Sequence, residues 1–342
     1  GSAQLVVDSS DVNLQGTFTA TTGTLSLTGD KDVNLTSGGN RVVRLEVRKT
    51  PGTKVSLQDD LLVEENLDFT AAQNYVWLAS NDLSIGTAGT ISGYSSTNFL
   101  VTNGTGFLRK IDLGAVPFEY PIGFNQNTYN PAILFDDLIV DDYGVRCLAT
   151  VLQDGGSGAP ISNGVVDASW EVDGGQVGEM SLNLTVQWNV GDELPGFDRS
   201  KCGIAQYGPI GWDLPLNFVA PAGGSNPYQR ERVLLSEPGF FAVGNEVLTN
   251  AAEVDINVYL QGPYSGVGFQ NDDLRAAGLL PLQEPYSALG FTQAGFGGGQ
   301  SVDPAVFDAV GNDAIIDWIL LEFYAAATPG QLLTTVPVLL QR

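Results

Sequence analysis

Two cysteines, Cys147 and Cys202, and 39 Asp and Glu residues carry most of the chemistry available to this 342-residue chain, because it has no histidine. Without imidazole there is no His-based triad, no His metal ligand and no base that titrates unperturbed near neutrality. A thiol without that activator does not read as a nucleophile. Carboxylates occur in adjacent pairs at Asp59-Asp60, Asp136-Asp137, Asp141-Asp142 and Asp272-Asp273. Calcium requires many converging oxygens, which its loop motif spaces at alternate positions before a closing Glu. None of the four pairs has that pattern. They read as solvated turns, and Asn271-Asp272-Asp273 reads as the cap and first turn of a short helix entering Leu274. Glycoside hydrolysis needs two carboxyl groups facing across a cleft, and no pair is singled out for it. The sequence therefore names no catalytic, cofactor-binding or metal-binding residue. Calcium is the one ion that its acidic turns leave open.

Only 15 Lys and Arg residues oppose those acids, so the net charge is −24. Phosphate backbones and anionic lipid surfaces are bound by Lys and Arg, and this excess of acid excludes most phosphate-backbone binding and argues against docking on anionic lipid. The longest apolar run, residues 315–327, is interrupted by Asp317 and Glu322, so no segment is expected to insert in a membrane. A hydrophobic fraction of 43% still supports substantial cores, and the length implies two or three domains.

The elements that would hold these side chains begin with a repeat. Asp11-Val12-Asn13-Leu14 recurs as Asp32-Val33-Asn34-Leu35, and the apolar alternation continues at Val55-Ser56-Leu57 and Val76-Trp77-Leu78. A second series runs between them, at Leu25-Ser26-Leu27, Leu45-Glu46-Val47 and Leu67-Asp68-Phe69. Both series step by about 21 residues, and each segment alternates as a half-buried strand does. Short strands at one fixed period define a β-solenoid, expected over residues 1–113; a β-sandwich is the alternative. Six basic residues lie between Lys31 and Lys54. They read either as a solvated face with alternating charge or as a positive surface for an acidic neighbour.

From residue 114 to 250 the strand-like runs come at sandwich spacing, with turn clusters such as Asp154-Gly155-Gly156-Ser157-Gly158 between them. Trp170, Trp188 and Trp212 are candidates for its core. Three features then combine. One is Pro121-Ile122-Gly123 followed by Tyr129-Asn130-Pro131. The second is Ala168-Ser169-Trp170-Glu171-Val172, with Leu184-Thr185-Val186-Gln187-Trp188 after it. The third is Pro238-Gly239-Phe240-Phe241-Ala242-Val243-Gly244. Together they resemble the large secreted surface proteins of the Bacteroidota, many of them exported by the type IX route. The resemblance continues through Val258-Tyr259-Leu260-Gln261-Gly262-Pro263-Tyr264 and Asp317-Trp318-Ile319-Leu320-Leu321-Glu322-Phe323 to Val338-Leu339-Leu340-Gln341-Arg342. It implies an all-β protein: a solenoid, an immunoglobulin-like β-sandwich over 114–250, and a C-terminal β-rich domain over 251–342 with one short helix.

The resemblance further implies an extracellular, cell-surface location and a structural or adhesive role rather than an enzymatic one. Outside the cell, Cys147 and Cys202 are expected to bridge adjacent sandwich strands, the alternative being two buried free thiols. The apolar strand Val338-Leu339-Leu340 is expected to present an open edge, with Gln4-Leu5-Val6-Val7-Asp8 as the matching strand of another subunit. Self-association into a filament, or pairing with other surface proteins, follows from that reading. The alternative function is a carbohydrate-binding or polysaccharide-processing surface module, with Trp77, Trp212 and nearby Tyr side chains as stacking platforms on a glycan, against the commoner reading of those rings as core aromatics.

Overall fold

The computed structural model describes residues 3–16, 22–175, 178–208, 211–213, 219–245, 256–264, 266, 270–294, 298–324, 330 and 332–342. Its first half winds through β1 (Gln4–Asp8), β2 (Val12–Asn13), β3 (Thr24–Thr28), β4 (Val33–Thr36), β5 (Arg41–Val47), β6 (Lys54–Leu57), β7 (Leu61–Phe69), β8 (Asn74–Trp77), β9 (Leu83–Ile85), β10 (Thr90–Ser92), β11 (Asn98–Val101) and β12 (Leu108–Leu113). Then come β13 (Phe118–Tyr120), β14 (Ile122–Gly123), β15 (Ala132–Asp136), β16 (Asp141–Leu148), β17 (Val165–Gly174), β18 (Leu182–Trp188), β19 (Gly203–Gly208), β20 (Gly211–Asp213), β21 (Gly223–Gly224), β22 (Tyr228–Leu235) and β23 (Gly239–Gly244). A short helix α1 (Asp273–Ala276) precedes β24 (Ile315–Tyr324) and β25 (Leu332–Gln341).

The N-terminal part is a β-solenoid of parallel coils. Strands β1, β3, β5, β7, β9 and β12 stack into one sheet, and β2, β4, β6, β8, β11 and β14 into a second. Leu25 lies beside Leu45, and Leu45 beside Leu67; Val33 lies beside Val55, and Val55 beside Val76. Both periodic series of the sequence are thus stacked columns of the interior, and Leu27, Leu35, Leu45, Val47, Val55 and Leu67 are fully buried. Each such side chain contributes about 1.5–3 kcal/mol by leaving water. The first coil is shifted. Val12 pairs with Leu35 rather than Val33. A slip of two residues keeps the same face inward, so Val12 stays buried.

No break separates solenoid from sandwich. Strand β12 pairs in parallel with β9 on one side and antiparallel with β16 on the other. The solenoid sheet therefore continues as β12-β16-β17-β23-β19-β20, and a second antiparallel sheet, β13-β15-β18-β22-β21, completes the sandwich. One apolar cluster extends through both, from Val12 to Val243. Arg109 pins the junction from outside, donating to Asp82 of a solenoid turn and to Asp173 on β17 at 2.7 Å. The chain accordingly divides into two units, Gly1–Tyr207 with Gly211–Thr249, and Gly208–Ile210 with Asn250–Arg342. The boundary expected at residue 250 falls beside that division and outside the described residues. In the second unit the paired strands among the described residues are β24 and β25, which form one antiparallel hairpin. The Trp318 indole donates to the Pro281 carbonyl at 3.0 Å, and the Tyr286 hydroxyl to the Trp318 carbonyl at 2.7 Å. Residues Val258–Leu260 form no strand; Gln270 holds them, accepting from the Leu260 amide and donating to the Val258 carbonyl, both at 2.7 Å.

Candidate functional site

The two cysteines do not bridge. Cys147 lies on β16 and Cys202 immediately precedes β19, and strands β17 and β23 run between them. Three interstrand steps of about 4.8 Å place them roughly 14 Å apart, beyond the reach of a disulfide. Both are buried free thiols. Burial pushes the Cys147 thiol far above its ordinary pKa and raises that of Cys202 to about 11, which makes both inert. The expectation of a bridge fails because β17 and β23 separate the two cysteine-bearing strands in this sheet.

Several acids already serve the backbone. Asp11, Asp32, Asp60 and Asp82 each accept from an amide of the next coil: Asn34 at 2.8 Å, Lys54 at 3.0 Å, Asp82 at 2.8 Å and Phe107 at 2.8 Å. Asp59 accepts from the Ser37 and Gly38 amides at 2.6 and 2.7 Å. Asp136 is buried and accepts from the amides of Leu138, Ile139 and Ser181 and from the Tyr143 hydroxyl, the last at 2.6 Å. Burial by itself would raise its pKa, but these hydrogen bonds outweigh it, led by Tyr143, and hold the carboxyl below its usual range. Among the described residues, no three Asp, Glu or Cys side chains converge as a metal site would require.

The basic stretch is likewise engaged. Arg41 pairs with Glu64 at 2.6 Å and Arg44 with Glu65 at 2.5 Å. Lys49 is buried, with its ammonium donating to the Thr28 carbonyl at 2.7 Å. The Lys54 ammonium sits 5.4 Å over the Trp77 ring. Four of the six cations are thus engaged within the molecule, which favours the reading of alternating charge over that of a positive docking surface. Trp212 is buried and donates to the Leu152 carbonyl at 2.8 Å, so it is a core residue rather than a sugar platform.

What stays unsatisfied is a sheet edge. Strand β1 pairs with β3, and its other edge carries no strand among the described residues. Leu5 and Val6 are 50% and 51% exposed, whereas their neighbours in the sheet, Leu25 and Ser26, are buried. Beside them opens a mostly apolar cavity of about 160 Å³ lined by Leu5, Leu14, Leu25, Val42 and Val43. The other candidate strand differs. Leu340 is buried, and Val338 and Leu339 are half-buried. The β25 backbone is also engaged at Thr335, whose amide donates to the Ala294 carbonyl at 3.0 Å. Of the six interface candidates, Leu5 and Val6 are open, Val7 is half-buried, and the β25 group is largely enclosed.

The sequence placed Gln4 and Asp8 in the candidate strand but did not show which of its residues turn their backbone groups outward. The Thr24 amide donates to the Ala3 carbonyl, and the Ser9 amide donates to the Thr28 carbonyl. Odd-numbered residues thus direct their backbone groups to β3. Because successive residues of a strand address opposite edges, Gln4, Val6 and Asp8 turn theirs outward. Strand alternation could have shown this once the pairing side was known.

Comparison with family models, with curated proteins and with solved structures returned no match. The fold defines the class: an all-β chain with an N-terminal β-solenoid.

Proposed function

We propose that the chain is a non-catalytic extracellular structural protein, a subunit of a bacterial surface appendage that assembles through strand pairing. The observation that carries this reading is the open edge of β1. The other terminal strands of the sheets in the first unit are two or three residues long: β2, β13, β14, β20 and β21. Short edges are how sheets avoid unwanted pairing. Strand β1 has five residues, of which Leu5 and Val6 are exposed. The resemblance to secreted Bacteroidota surface proteins supports the location and the adhesive role, and the high negative charge suits a soluble exterior protein.

Electron microscopy and light scattering of the chain at rising concentration, with and without EDTA, test the proposal. Association that increases with concentration, from dimers upward, is expected. Dispersed monomers at every concentration in both conditions would overturn it.

A further inference from the structure

We propose that β1 binds β1 of a second copy, antiparallel and centred on Val6, to close a two-fold dimer. This rests on the assembly reading above and names its partner and symmetry.

The argument begins with the backbone. The free groups of β1 are the N–H and C=O of Gln4, Val6 and Asp8. An antiparallel copy centred on Val6 sets Val6 against Val6 of the second chain, and each Gln4 against the other chain's Asp8. Residues that face each other in such a ladder exchange both of their hydrogen bonds, so every outward group of the three residues finds its complement. A register moved by one residue would set outward groups against ones turned away.

The side chains agree. Gln4, whose amide already reaches Glu46 at 3.3 Å, brings a donor beside the Asp8 carboxylate of the second chain, so no like charges are set opposite each other. Leu5 and Val7 share the inward face with Leu25 and Leu27, their partners on β3. The two-fold sets Leu5 of each chain beside Val7 of the other, so the half-exposed Leu5 and the apolar cavity next to it gain a cover. Val6 meets its own copy on the outer face. A head-to-tail alternative within this sheet would have to use β20 at the far end, which offers three residues, Gly211–Asp213, with Trp212 buried. An isologous contact closes on itself, so growth beyond a dimer would need a second surface.

The test uses sedimentation equilibrium of the full chain and of Val6→Lys, Val6→Glu and Val6→Pro variants. The wild type is expected to reach a dimer in the micromolar range, and association should strengthen with salt as repulsion between the acidic chains is screened. Val6→Pro removes only an outward N–H, a site where an edge strand tolerates proline. It should weaken dimerisation at least about tenfold while leaving the circular dichroism of the fold unchanged. In a two-fold contact residue 6 faces itself. Val6→Lys and Val6→Glu should therefore each be monomeric, and an equimolar mixture of the two should dimerise. Oligomers that grow past the dimer, with no rescue on mixing, would overturn the two-fold contact and leave assembly standing. A wild type that remains monomeric would overturn both.

Discussion

Replacing Trp170 with alanine is expected to lower the unfolding free energy of the first unit by about 3–5 kcal/mol. Trp170 is fully buried near the middle of β17, opposite Cys147 on β16 and Phe241 on β23. Its indole N–H donates to the Asn130 carbonyl at 2.9 Å. Truncation leaves a large cavity in a close-packed interior and strips a buried carbonyl of its donor. Because one apolar cluster joins sandwich and solenoid, the loss should shift a single cooperative transition, including the signal of the solenoid strands. Urea unfolding followed by circular dichroism measures this. A change below about 1 kcal/mol would show that the site collapses around the deletion.

Asp136→Ala is expected to cost about 3 kcal/mol or more, from hydrogen bonds to a charged acceptor and from buried groups left unpaired. Three amides and the buried Tyr143 hydroxyl lose their acceptor together. The pH dependence follows from the lowered pKa. The folded carboxyl binds its proton less readily than the unfolded one, whose ordinary value is 3.8. Its stabilisation is therefore complete above that value and is lost as pH falls through the folded one. Wild-type stability should decline in acid below about pH 4, and the variant's decline should be shallower. Urea midpoints at a series of acid pH values give the comparison; parallel curves would contradict the assignment.

The solenoid was legible because its inward residues stack almost in sequence register. Leu25, Leu45 and Leu67 follow the period and also touch through adjacent strands. The first coil shows where such reading ends. The match of Asp11-Val12-Asn13-Leu14 to Asp32-Val33-Asn34-Leu35 invites direct alignment, yet Val12 pairs with Leu35, because a two-residue slip costs nothing in burial pattern. The join at β12 was not legible either. Alternation identifies a strand but not that one edge continues a parallel coil while the other begins an antiparallel sandwich. The cysteine pairing failed for the same reason, since lateral order within a sheet is long-range information. Lys49 and Lys110 would be placed on the surface by composition. Both are buried, and the Lys110 ammonium donates to the Gly86 and Thr87 carbonyls at 2.5 and 2.6 Å. Of the interface, Leu5 and Val6 could be read from an apolar strand at the start of the repeat, but the burial of Leu340 depends on long-range packing.

Amide hydrogen exchange of β1 at low and high protein concentration tests the central claim, that the outward edge of this strand is the assembly surface. The amides of Leu5 and Val7 face β3 and should be protected throughout, whereas those of Gln4, Val6 and Asp8 should exchange fast when dilute and become protected on concentration. If those three amides exchange equally fast at every concentration, the edge of β1 is not where copies of this protein meet.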